Sequence, residues 1–123
     1  MSYSFAFDAA RKRVLVTQES AETAQSALEA MSDVRNHPKF ESDYDILCDF
    51  RKGDFPRGSV ALAQVSQVIT VFFPRQRIAL VYSDPDREKS AQFVATAAST
   101  VANVRVFKDL EAAEAWLDAA PDG

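Results

Sequence analysis

The chain has 123 residues, 47% hydrophobic and 26% charged, the make-up of one globular domain. A domain of this length buries roughly two thirds of the surface that its unfolded chain exposes, so its core does not depend on a metal or a disulfide framework. The formal net charge of -4 argues against nucleic acid or an anionic membrane surface as the main partner, because both reward a basic face. The lone cysteine, Cys48, excludes an intrachain disulfide and fits a reducing, cytoplasmic setting. Residues 1–7 carry no basic region followed by an apolar run and a cleavage site, so no secretory signal is expected. Residues 60–73, the most apolar stretch, are interrupted by Gln64, Ser66, Gln67 and Thr70, too short and too polar a run to span a bilayer. Residues 1–120 read as a single domain and residues 121–123 as a tail.

In chain order, Tyr3, Phe5 and Phe7 place aromatic rings at every second position, the period of a strand. A polar turn leads into the β-branched strand from Arg13 to Thr17, and so short a connection predicts an antiparallel hairpin. Ser20 is a candidate N-cap for a helix whose apolar stripe is Ala24, Ala27, Leu28, Met31 and Val34. That helix must end before Pro38, because proline pushes the residue before it out of the α region. Residues 44–50 form a strand with a continuous apolar centre, the pattern of a parallel strand buried on both faces.

After the loop of residues 51–58, Ser59 is expected to cap a second helix with an apolar arc of Ala61, Leu62, Val65, Val68, Ile69 and Phe72; Pro74 stops it. Residues 77–82 are another buried-type strand. Asp84 followed by Pro85 joins an N-cap acceptor to a ring with φ already fixed, which predicts a third helix. Residues 104–107 form a last short strand. Asp109 then caps a final helix that buries Leu110, Ala113 and Leu117, with Trp116 at the edge of the stripe. The order β-β-α-β-α-β-α-β-α predicts an α/β domain on a mixed, mostly parallel five-stranded sheet with right-handed crossovers, only the first strand running antiparallel.

Ligands of such sheets bind outside the carboxyl ends of the strands. Here those ends carry Thr17 and Gln18, Asp49 to Arg51, Ser83 with Asp84, and Phe107 with Lys108. The loop after Asp49 brings Arg51, Lys52 and Arg57 toward Ser59 at a helix N-terminus, a place that attracts anions. It lacks the GxxxxGK[ST] pattern of a phosphate loop, and no GxGxxG occurs in the chain. The candidate ligand- or partner-binding residues are therefore Asp49, Arg51, Lys52, Arg57, Ser59, Ser83 and Asp84. Asp49 has two open readings, a cap for loop amides and a functional carboxylate. Asp43 and Asp45 read as solubilising residues at a strand start. Asp45 and Asp49 lie about 13 Å apart along one strand, too far for a close catalytic pair. His37 has no orienting partner at recognisable spacing and Cys48 sits within an apolar strand, so both read as structural. No CxxC, HExxH or calcium-loop spacing is present, and no metal or cofactor is expected.

Three segments carry a family resemblance: residues 104–117, His37-Pro38 followed by residues 44–51, and the strand at residues 77–81. Together they resemble the bacterial STAS-like proteins, relatives in fold of the anti-sigma-factor antagonists and of the lipid-binding Sec14 domains. The resemblance covers nearly the whole chain, and its motifs describe a fold more than a chemistry. It implies a binding or regulatory module rather than an enzyme. In the antagonists a phosphorylatable serine follows an aspartate at the start of the helix after the central strand. The nearest position here is Ser59, without the Asp-Ser-Ser-Gly-like signature and after a longer, basic loop.

Two functions follow as expectations. The first is a non-catalytic module that binds a protein partner through the basic loop and the helix after it. The second is a carrier or sensor of a small anionic or lipid-like ligand at the carboxyl edge of the sheet. A weak homodimer is also expected, through Val60 and Val71 on the second helix beside Phe72 and Phe73, with Gln64 and Gln67 between them.

Overall fold

The computed structural model describes residues 3–18, 24–51, 59–73, 75–82, 89, 92, 96 and 103–119. Strand β1 (Tyr3–Asp8) alternates half-buried and exposed side chains, so Tyr3, Phe5 and Phe7 face inward as their spacing predicts. It pairs antiparallel with β2 (Arg13–Gln18). Asp8 closes the turn by accepting the Arg11 N–H at 3.1 Å. Lys12 leaves the turn at φ 55, a left-handed conformation that disfavours any residue with a Cβ. There its carbonyl accepts the Asp45 N–H at 2.9 Å, which stitches the hairpin to the next strand.

Helix α1 (Ala24–Arg35) connects β2 to β3 (Asp45–Asp49), and α2 (Ser59–Phe72) connects β3 to β4 (Arg77–Val81). Strand β5 (Asn103–Phe107) and α3 (Leu110–Asp118) complete the described elements. The helix expected after Asp84 lies largely outside the described residues; Lys89, Gln92 and Thr96 within that stretch are helical.

The sheet order is β1-β2-β3-β4-β5, with every pair after the first parallel. Strands that advance in one direction through right-handed crossovers place their connecting helices on one face. Accordingly α1 packs against α2. Beneath them Val14, Val16, Ile46, Cys48, Ile78, Leu80 and Tyr82 meet Met31, Val34, Ile69 and Phe73. The opposite face is left to α3, where Leu47, Ala79 and Val81 pack on Ala113 and Leu117. Covering both faces explains why β3 and β4 read as uninterrupted apolar runs.

The Asp109 cap is as expected: its carboxylate accepts the Ala112 N–H at 2.7 Å. In α1, Met31 and Val34 are buried as expected, Ala30 joins them in the core and Leu28 is exposed, while the side chains of Ala24 and Ala27 lie outside the described residues. No helix among the described residues is long and apolar enough to cross a membrane.

Candidate functional site

Parallel pairing brings Thr17, Asp49, Val81 and Phe107 into one row at the carboxyl edge. Asp49 is the residue of that row whose chemistry matters most. Its side chain is only 14% exposed, and it turns on the chain that follows it. Oδ1 accepts the Arg51 backbone N–H at 3.1 Å and Nε at 2.9 Å, and Oδ2 accepts a terminal guanidinium nitrogen at 2.8 Å. The carboxylate is thus both the loop cap and the partner of a bidentate guanidinium, the strong geometry for such a pair. These hydrogen bonds first, and the opposite charge second, raise the Arg51 pKa above its ordinary value. On the other face of the same edge, Phe50 and Tyr82 stack with ring centroids 5.1 Å apart.

Of the residues expected at the site, the structure brings Asp49 and Arg51 together. Ser59 opens α2, and its side chain lies outside the described residues. Lys52, Arg57, Ser83 and Asp84 also lie outside them. The remaining reactive side chains have structural surroundings. Cys48 is fully buried in the core. His37 stacks on Phe7 at 4.5 Å and sets its edge to Phe5 at 5.8 Å, while its Nδ1 accepts the Lys39 N–H at 3.1 Å. Among the described residues no group of three or more His, Cys, Asp or Glu side chains is arranged to hold a metal.

Sequence reasoning missed a second polar centre, at the amino edge of the sheet. Arg13, Asp45, Arg77 and Asn103 occupy one register row beneath the C-terminal end of α3. Asp45 does not solubilise a strand start; it is half-buried and binds Arg77. Arg77 donates its backbone N–H to Oδ1 at 3.1 Å, and Nε and Nη2 to Oδ2 at 3.1 and 2.7 Å. The same guanidinium caps α3 by donating to the carbonyls of Trp116, Leu117 and Ala119, and it lies over the Trp116 ring. A cation suits the negative end of a helix. Arg13 is buried beside it and pairs with Asp118. The signal was present in the alternation: Arg13, Asp45 and Arg77 each stand two residues before the inward-facing Leu15, Leu47 and Ala79.

A cavity of about 490 Å³ opens outside this row, with Arg11, Lys12, Arg75 and Gln76 in its wall. A second, shallower groove of about 510 Å³ runs along α1 past Leu28 and Asp33.

No family model matches the chain, and no curated protein matches its sequence. A solved structure does share its architecture over 94% of both chains, with a TM-score of 0.62 and 12% sequence identity. That structure is an uncharacterized protein of the DUF3478 family, with a SpoIIAA-like fold, from Shewanella loihica PV-4. The fold is SpoIIAA-like. At this identity the likeness concerns architecture alone, and it bears out the STAS-like α/β arrangement expected from the sequence. In chain order residues 51–58 lie between β3 and α2, and Ser59 is the first residue of α2.

Proposed function

We propose that the chain is a non-catalytic, cytoplasmic STAS-like binding or regulatory module that engages a protein partner through α2 and the loop before it. The observation that carries this reading is the composition of α2. Its residues, from Ser59 to Phe72, include no charged side chain. Ala63, Gln64, Gln67 and Val71 are nonetheless exposed, Val71 at 67%. Ala63, Gln67 and Val71 recur every four residues and so form one stripe. An exposed helix face ordinarily carries charge, whereas the centre of a protein interface is depleted of it. In the sequence, the segment before α2 carries the basic residues Arg51, Lys52 and Arg57, the composition of a polar rim. A phosphate on Ser59 would sit at the positive end of the α2 dipole and change the charge of that rim.

The non-catalytic part of the reading rests on what the polar groups already do. Asp49 is occupied by Arg51. His37 packs on the aromatic face of β1, whereas Asp49 projects from the opposite face of the sheet. General acid–base catalysis needs such groups in contact or bridged by one water.

The test is affinity capture from the source lysate with wild type, Val71→Glu, Gln67→Arg and the control Glu111→Lys. The expected result is a partner recovered by wild type and the control and lost with both α2 variants. Recovery unchanged by either α2 variant contradicts the reading. A second copy of the chain is one candidate occupant, giving a weak homodimer. The expected contribution of Phe72 and Phe73 to that surface needs correction, since Phe73 is fully buried and Phe72 packs half-buried against the core.

A second reading, a carrier or sensor of a small anionic or lipid-like ligand at the carboxyl edge, is favoured by the placement of Arg51. Its guanidinium is held 43% exposed at that edge, and the reading includes Lys52, Arg57, Ser83 and Asp84 among the ligand-binding residues. A thermal-shift screen of nucleotides, phosphorylated metabolites and fatty acids separates the two. A saturable shift abolished by Arg51→Gln supports the ligand reading, and none with any of these compounds removes it.

A further inference from the structure

The cavity at the amino edge has a charge imbalance that its own ion pairs do not cancel. Lys12 pairs with Asp43 at 2.9 Å, Asp45 is taken up by Arg77, and Asp118 by Arg13. Each carboxylate in the wall is thus answered by one cation. Two cations remain. Arg11 has only a long, exposed contact of 4.0 Å with Asp8, and Arg75 has no acidic partner among the described residues. Two guanidinium groups are therefore displayed at one opening on a protein whose net charge is -4.

A second observation concerns Gln76, between Arg75 and Arg77 in the same wall. It is 6% exposed. Its Nε2 donates to the Ser42 carbonyl at 2.8 Å, which fixes the amide, and Oε1 has no hydrogen-bond partner. A buried carbonyl oxygen left without a donor is costly. The wall of the cavity therefore offers two anion-binding forks next to an acceptor that wants a hydroxyl. At about 490 Å³ the space is of metabolite size.

We propose that this cavity binds a small hydroxylated phosphate monoester, its phosphate between Arg11 and Arg75 and a hydroxyl donating to Gln76 Oε1. Guanidinium groups match phosphate oxygens with paired N–H donors. The site lies at the opposite end of the strands from the carboxyl edge and stands independently of the partner surface on α2.

The test is an amide chemical-shift titration of the full chain at constant ionic strength, with glycerol 3-phosphate, inorganic phosphate and glycerol as probes. Glycerol 3-phosphate is expected to give saturable shifts centred on Arg75, Gln76 and Arg77, with inorganic phosphate weaker and glycerol inert. Arg75→Gln and Arg11→Gln are each expected to weaken binding about tenfold, the loss of one charge-assisted contact. Both side chains are exposed, so these variants keep the fold. Glu111→Gln, exposed on α3 and outside the cavity wall, is expected to leave binding unchanged. Shifts that persist in Arg75→Gln, or that vanish in Glu111→Gln, overturn the site. Equal affinity for inorganic phosphate and glycerol 3-phosphate overturns the role given to Gln76.

Discussion

Arg13 and Arg77 stand in the same row of the sheet but have different partners. Arg77 is satisfied on every side, by Asp45 and by three carbonyls at the end of α3. Arg13 is the more buried of the two, yet its Nε and Nη1 have no hydrogen-bond partner. Removing Arg77 strands a half-buried carboxylate and uncaps a helix, whereas removing Arg13 also removes two unsatisfied donors. Arg77→Met is therefore expected to cost about 2–3 kcal/mol in urea unfolding and Arg13→Met less than about 1 kcal/mol; equal losses would show that the two arginines do the same work. Tyr3 supplies a pH test. Burial, followed by donation of its hydroxyl to Asp33 at 2.6 Å, pushes its pKa up to about 12. A phenol whose folded pKa lies above its unfolded value near 10 gives stability that is fully present below that value and lost as pH rises through the folded one. Tyr3→Phe should flatten the decline in stability above about pH 10, and an unchanged alkaline limb would assign that decline elsewhere. These residues were the least legible in the sequence. Asp45 resembled a surface residue because its partner, Arg77, is joined to it only through parallel pairing of β3 with β4.

At the scale of elements the sequence was far more informative, because burial imposes periodicity. The alternation of Tyr3, Phe5 and Phe7 marks a strand covered on one face, and the uninterrupted runs of β3 and β4 mark strands covered on both. Helix α1 shows where periodicity loses resolution: Leu28 lies at the margin of its stripe, and tertiary docking leaves it exposed. Capping was legible where its chemistry is local, as at Asp109. Asp109→Ala is expected to lower stability by about 1 kcal/mol through loss of the bond to the Ala112 N–H. Asp109→Asn should retain most of it. Thermal melts of both variants check this, and equal losses would locate the effect in charge rather than in the cap hydrogen bond.

For the whole molecule, alternating strands and helices implied parallel pairing but left the strand order open, since many orders satisfy the same alternation. The observed sequential order sends α1 and α2 to one face and reserves the other for α3. That arrangement leaves the outer side of α2 facing solvent with no charge on it, a property of the helix that becomes meaningful only once its buried side is known. Parallel pairing puts Asp49 at the carboxyl edge of the sheet, where it is both cap and ion-pair partner, a geometry that sequence spacing does not specify. We propose that the uncharged stripe of α2 docks a protein. The most direct measurement places a photo-crosslinking amino acid at Gln67 in the source cell, with the same group at Glu111 on α3 as the control. A discrete adduct from position 67, absent at position 111 and abolished by Val71→Glu, is the predicted result. No adduct from position 67, or the same adducts from both positions, would contradict it.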